Sequence, residues 1–419
     1  MYEDLIRSIY DKTVATFPLL KQEDELLACI SHWLHTPEIN FKLRSIELIT
    51  LWRSEVNDFC ALHDTTLDSL LSNILFPSIK NDFSFIDLFA GIGGFKLALQ
   101  NTGGKCLFSS EWDKSAKQTY FKNHGKFPFG DINQFTGEEI EDTLLSNLIP
   151  DHDVLAGGFP CQPFSLAGVS ARSSLGHNHG FDCSTQGTLF HSIARIAYVK
   201  QPKIIFMENV RNIISHNKGE TFKVIRETME NLSGGNNDKQ SYTFHFSIIN
   251  SDTVVAQSRK RCFMVCIRKD IYKLKGEFNF PNFDGQPIPL KEALEELSFD
   301  ELEEYTISDK LWQGHINRTK RNIDRGTGFT AHMADLNKPS NTIVARYGKD
   351  GKECLVPPQR EGMNPRKLTK RECANLFGYP KNFWLPHSKT PTYKQLGNSV
   401  VVPIVQSISE NISEYLKVK

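Results

Sequence analysis

The segment IDLFAGIGGFKLAL, Ile86 to Leu99, constrains the fold more than any other stretch of this chain. Phe83 to Phe89 reads as a short buried strand. Gly91, Gly93 and Gly94 follow where the strand must turn, and an amphipathic helix runs on through Gln100. Glycine allows backbone dihedrals closed to other residues and lets the main chain approach a ligand. Further strand candidates are Lys105–Ser110, Asp153–Ala156 and Lys203–Glu208, and Thr221–Leu232 reads as a helix between strands. Strands alternating with helices predict an α/β fold with a doubly wound, mostly parallel sheet. Its functional residues are expected at the carboxyl ends of the strands.

The remaining regions set the domain organisation. Residues 1–80 read as a helical extension, with apolar residues at spacings of three and four (Leu26, Leu27, Ile30, Leu34; Ile46, Ile49, Val56). Residues 81–275 form the α/β domain. From 276 to 366 regularity fades among prolines and glycines, with a basic cluster at Arg318, Lys320, Arg321 and Arg325, which predicts a smaller irregular domain. Residues 367–419 are expected to return to the α/β domain. No apolar run approaches the roughly eighteen residues of a membrane span, and the amino terminus lacks a signal pattern, so a cytoplasmic protein is expected. The nine cysteines form no C-x-x-C pair, which argues against a disulfide framework or zinc site; no metal is expected. The 49 basic and 49 acidic residues cancel, but a basic groove balanced by acidic faces remains open.

The glycine turn implies a particular ligand. A dinucleotide fingerprint would require glycine at position 96, which is Lys96, so a nicotinamide cofactor is not favoured. Glu111 stands twenty residues beyond Gly91, at the end of the next strand candidate, followed by Trp112. A carboxylate there can accept from both ribose hydroxyls, and an indole can cover an adenine face. Asp131 can accept from the adenine amino group. These residues imply an adenosine without a pyrophosphate, such as S-adenosylmethionine; on the glycines alone a purely structural turn fits equally well.

The chemistry is expected elsewhere. Cys161 lies between Pro160 and Gln162 in AGGFPCQPFSLAG, a rigid loop that can expose a thiol, and a thiolate is a strong nucleophile. Glu208, in MENV, ends another strand beside that loop, where an unpartnered acid is costly. It is either a surface carboxylate or an acid that, when protonated, donates to a ring nitrogen while Asn209 fixes the loop. QSRKRCFMV places Gln257, Arg259 and Arg261 on one face of an alternating segment. These arginines form a solvated strand edge or, turned inward, bind an anion.

Together GIGGF, GFPCQPFSLAG, ENV, Q-x-R-x-R and GNSVVVP, in this order over roughly residues 83–410, resemble the motifs of the DNA (cytosine-5) methyltransferases, notably the bacterial restriction-modification enzymes. LTKRECANLFGYP, Leu368 to Pro380, resembles a further motif of the family. The resemblance implies an S-adenosylmethionine-dependent methyltransferase fold. Phe89, Gly91 and Gly93 would line the cofactor, with Glu111 on its ribose and Trp112, Asp131 and Ile132 around its adenine. Leu189, Asn398 and Ser399 would close the same pocket. Cys161 would attack carbon 6 of cytosine, Glu208 would contact nitrogen 3 and the amino group, and Arg259 and Arg261 would support the base and Cys161. Gln162 and Ser165 would touch double-stranded DNA, and residues 276–366 would form the target-recognition domain. The implied enzyme acts as a monomer on a flipped-out base and protects host DNA from a restriction endonuclease of the same specificity, without obligatory contact between the two. GTGF and NTIVARYGKDG resemble relatives acting on CC-containing palindromes.

Two other functions fit parts of the pattern. A transfer-RNA cytosine-5 methyltransferase would share the fold but lack a large recognition domain, against which residues 276–366 speak. A non-catalytic DNA-binding protein would not require Cys161, Glu208 and Arg261 together. The first 80 residues have no counterpart in the shared motifs.

Overall fold

The computed structural model describes residues 1–20, 23–37, 45–78, 80–159, 189–326 and 333–417. The chain forms two compact units. The first comprises Met1–Ile248, Arg261–Phe280 and Ile408–Lys419; the second comprises Ile249–Lys260 and Pro281–Ser407.

A six-stranded sheet organises the first unit. Its strands are β1 (Phe83–Leu88), β2 (Gly104–Ser110), β3 (Val154–Gly158), β4 (Ile204–Val210), β5 (Tyr242–Asn250) and β6 (Lys260–Arg268). Their order is β2-β1-β3-β4-β6-β5. β1 pairs in parallel with β2 and β3, β3 pairs in parallel with β4, and β6 runs antiparallel to β4. The mostly parallel sheet expected from the strand–helix alternation is therefore present. Ile86 and Leu88 of β1 enter a core with Phe108, Leu155, Ile205, Met207 and Met264. The helix Leu189–Lys200 adds Phe190, Ile193, Ala194 and Ala197 at helical spacing. Each buried large aliphatic side chain stabilises the unit by about 1.5–3 kcal/mol.

Four N-terminal helices belong to this same unit: α1 (Tyr2–Thr16), α2 (Glu23–His35), α3 (Ile46–Leu62) and α4 (Leu67–Ser72). Their core gathers Leu5, Ile9, Ile30, Leu34, Trp52 and Leu70. It also takes in Phe121, from the helix α6 (Lys114–His124) that follows β2. The Trp52 indole N–H donates to Thr13 Oγ1 at 2.9 Å, so the indole is buried without stranding a donor. The extension thus shares side chains with the α/β layer.

The second unit carries a 16-residue helix, Asp309–Asp324, which bears Arg318, Lys320 and Arg321. The domain boundary expected at residue 367 shifts: residues 367–407 cluster with this unit, and only Ile408–Lys419 joins the first. The reason is a buried tyrosine pair. Tyr347 and Tyr393 meet edge-on with ring centroids 5.2 Å apart. Tyr347 Oη accepts from Leu368 N at 2.8 Å, and Tyr393 Oη donates to Leu368 O at 2.5 Å. No described helix is long and apolar enough to cross a membrane.

Candidate active site

The glycine turn is built by unusual backbone. Phe89, Gly91 and Gly93 have φ of 54°, 55° and 89°. Gly93 N donates to Ala90 O at 2.8 Å and closes the turn, and α5 (Gly94–Asn101) begins at the next residue. Phe89 has a Cβ, and a left-handed backbone costs such a residue about 1–2 kcal/mol. Strain of this kind collects at functional sites, where the surrounding fold enforces it. At Gly91 a Cβ would meet no atom within 4 Å, so open space faces the turn. At Gly93 a Cβ would sit 2.3 Å from His124 Nε2, so glycine there is a packing requirement as well.

Glu111 stands opposite. Its Oε2 accepts from Gly91 N at 2.8 Å and its Oε1 from Asp113 N at 2.7 Å. Burial raises its carboxyl above the usual range, and the backbone donors oppose that rise. The backbone of Gly91, Trp112 and Asp113 acts on this carboxylate, which has about four acceptor positions, so it retains capacity for a hydroxyl donor. Trp112, the next residue, is 79% exposed. Asp131 is half-buried, with Oδ1 accepting from Asn133 N at 3.0 Å. Ile132 is buried in the core and Leu189 packs partly buried against it. The open turn, the buried carboxylate beside it and the exposed indole fit an adenosine.

Beneath the turn lies a buried ionisable group that the sequence did not single out. Asp87 of β1 is fully buried, and burial holds its carboxyl well above the usual carboxylate range. Lys96 lies close enough to oppose that shift; burial brings its own amine down to about 7. Both residues were visible in the sequence, but nothing in its pattern marked them as neighbours.

The second cluster forms where β3 and β4 end. Gly158 and Glu208 are register partners, and a Cβ at Gly158 would lie 3.3 Å from Glu208 Oε2. Glu208 is largely buried and pairs with Arg261, Nε to Oε1, at 2.9 Å. Asn209 Nδ2 donates to Phe159 O at 3.0 Å, while its Oδ1 accepts from Val210 N at 2.8 Å. Asn209 therefore anchors the chain two residues before Cys161. Cys161, Gln162 and Ser165 lie outside the described residues. Cys262, next to Arg261, is buried and its thiol is pushed up to about 12 by burial and then by the Glu208 charge, which leaves it inert.

The expected shared face of Gln257, Arg259 and Arg261 divides. Arg261 belongs to the first unit, Gln257 and Arg259 to the second. Arg259 is 3% exposed and donates to three carbonyls: Ile343 at 2.9 Å, Gly397 at 3.1 Å and Ser399 at 2.9 Å. Its guanidinium also lies over the Phe377 ring at 5.1 Å. Gln257 is fully buried, donates to Leu376 O at 2.9 Å and accepts from Ile343 N at 2.8 Å. These carbonyls engage both Nη groups of Arg259. Through it the loop bearing Asn398 and Ser399 is fixed; Ser399 Oγ also bonds Tyr379 Oη at 2.5 Å, and Asn398 is exposed.

Comparison with known proteins accords with this arrangement. Residues 83–414 match the C-5 cytosine-specific DNA methylase family. The chain is 40% identical to the type II methyltransferase M.SsoII of Shigella sonnei, over 80% of this chain and 82% of that protein. It is 37% identical to the DNA-cytosine methyltransferase of Escherichia coli K12, over 80% of this chain and 78% of that one. It is 36% identical to M.HhaI of Haemophilus parahaemolyticus, over 80% and 95% of the two chains. The S. pombe Dnmt2 methyltransferase crystal structure shares the fold at a TM-score of 0.54 with 18% identity, over 80% of this chain and 98% of that one. With the match spanning both units, the chain belongs to the C-5 cytosine-specific DNA methylases and is a DNA (cytosine-5-)-methyltransferase.

Proposed function

We propose that this enzyme methylates carbon 5 of cytosine in a short double-stranded DNA site, and that it protects host DNA within a restriction-modification system; relatives named type II methyltransferases support the reading. The observation that carries the reading is the Glu208–Arg261 pair at the end of β4, opposite Gly158, which stands three residues before Cys161 in the sequence. S-adenosylmethionine, when bound, supplies an electrophilic methyl group. Phe89, Gly91, Gly93, Glu111, Trp112, Asp131, Ile132 and Leu189 would hold it, with Glu111 accepting from the ribose hydroxyls and Trp112 lying against the adenine.

Carbon 5 of cytosine is a poor nucleophile. Addition of the Cys161 thiolate to carbon 6 turns the 5–6 double bond into an electron pair on carbon 5 that can take the methyl group. Charge accumulates at nitrogen 3, where Glu208, having taken up a proton from solvent on base binding, donates it and takes it back when the ring is restored; Arg261 orients the Glu208 carboxyl. Loss of the carbon 5 proton to a base then restores the double bond and expels the Cys161 thiolate. The base must leave the duplex to reach this site, at a cost of a few kcal/mol in stacking and pairing.

DNA carrying 5-fluorocytosine tests the reading, because fluorine does not leave as a proton does. Wild-type enzyme with S-adenosylmethionine is expected to form an adduct that survives denaturation, and Cys161→Ser none. Wild-type enzyme that methylates ordinary DNA yet yields no such adduct overturns the covalent mechanism. Bisulfite sequencing of DNA from expressing cells identifies the target site.

A further inference from the structure

The four N-terminal helices lie outside residues 83–414, the span matched by the family. Their hydrogen bonds nevertheless converge on one stretch of the α/β layer, residues 125–131, and on the end of β2. Gly125 O accepts from Tyr2 Oη at 2.8 Å and from His35 Nε2 at 3.2 Å. Phe127 N donates to Ser31 Oγ at 3.0 Å, and Gly130 N donates to Glu25 Oε1 at 3.0 Å. At β2, Ser109 N donates to His32 Nε2 at 3.2 Å. The opposite ring nitrogen of His32 faces Ala28 O at 2.9 Å, so the proton sits on Nδ1 and Nε2 is the acceptor.

These contacts matter because of what the stretch carries. β2 is an edge strand, and an edge presents unpaired backbone groups. Residues 129–131 complete it: Phe129 N donates to Ser109 O at 2.8 Å, Glu111 N to Phe129 O at 2.9 Å, and Ser110 Oγ to Gly130 O at 2.9 Å. Glu111 and Asp131 are therefore set in position by one short ladder. Within that ladder the Gly130 N–H is held by a carboxylate from α2. A side chain at position 130 would collide with it, since a Cβ there would sit 2.6 Å from Glu25 Oε1.

We propose that α1 and α2 are part of the cofactor-binding apparatus, with Glu25 a positioning residue that holds the Gly130–Asp131 turn in its binding geometry. The proposal rests on the reading that Asp131 lines the S-adenosylmethionine pocket. Helices outside the family's matched span would then set the affinity for the methyl donor.

The test is calorimetric titration of the full-length apoenzyme with S-adenosylhomocysteine, which binds without reacting, alongside steady-state kinetics. Glu25→Ala is expected to weaken binding about tenfold, in keeping with loss of a hydrogen bond to a charged group. KM for S-adenosylmethionine should rise by a similar factor while kcat stays within twofold. Glu25→Gln, whose amide oxygen can still accept from Gly130 N, should bind within about threefold of wild type. The apo melting temperature of Glu25→Gln should match wild type and that of Glu25→Ala should fall by no more than a few degrees, so that both variants remain folded at the titration temperature, which separates positioning from folding. Glu25→Ala binding as wild type while Asp131→Ala binds weakly overturns the proposal and spares the pocket reading. Asp131→Ala binding as wild type overturns the pocket reading and the proposal with it. Glu25→Gln as weak as Glu25→Ala also overturns it.

Discussion

Glu372 offers the sharpest test of how the second unit is held together. Its carboxylate is fully buried and accepts four hydrogen bonds. Two come from Arg366, Nη1 and Nη2, both at 2.8 Å; the others come from Thr369 N at 2.7 Å and Glu295 N at 3.1 Å. Thr369 Oγ1 accepts in return from Glu372 N at 3.0 Å, which completes a capping box at the start of the helix Lys370–Asn375. Glu372→Ala strands the Arg366 guanidinium, itself only 2% exposed, and two backbone donors. Removing one partner of a buried pair costs about 3–5 kcal/mol, chiefly because the remaining charge is left without compensation. Against a total stability of about 5–15 kcal/mol this is a large fraction. It corresponds to a fall of about 10 °C in melting temperature for a unit of this size. Glu304→Ala is the matched control: the Glu304–Lys389 pair spans 2.8 Å, but Glu304 is more than half exposed, so its loss should cost less than about 1 kcal/mol. Differential scanning calorimetry of both variants decides the matter. If Glu372→Ala melts within 2 °C of wild type, or no lower than Glu304→Ala, the assignment of the network as the unit's polar anchor is wrong.

Two further outcomes follow from the first unit. Glu208→Gln keeps the shape but loses the acid and its charge pairing with Arg261; kcat should fall about 10²–10³-fold. Binding of S-adenosylhomocysteine should be unchanged, and kcat within tenfold of wild type would remove Glu208 from the chemistry. His152 is buried, with Nδ1 donating to Pro150 O at 2.8 Å, and burial lowers its pKa to about 4. A folded-state pKa below the unfolded value near 6.5 means that the unfolded chain takes up the proton first, so stability is lost as pH falls from about 6.5 towards 4. Over that window the loss from this one group approaches about 3 kcal/mol. His152→Asn should flatten the pH dependence of urea unfolding by that amount; parallel curves for variant and wild type would refute it.

Much of this molecule was legible from its residues because the relevant signals are local. A strand that must turn within three glycines and a carboxylate at the end of the next strand each occupy a few adjacent positions. Their physics depends on backbone geometry over the same few positions. Alternating strands and helices likewise dictate a mostly parallel sheet, since crossover helices force parallel pairing. The parts decided only in three dimensions depend on partners far apart in the chain. Arg259 resembles Arg261 in sequence, two positions away on an alternating segment. Yet one donates to carbonyls of residues 343, 397 and 399 and the other pairs with Glu208. Nothing in residues 1–80 announced that Glu25 would meet a backbone amide 105 positions later. The boundary expected at residue 367 moved because two buried tyrosines close their hydrogen bonds on Leu368. Buried polar groups must find a partner somewhere, and the sequence states the need while only the folded chain decides which partner meets it.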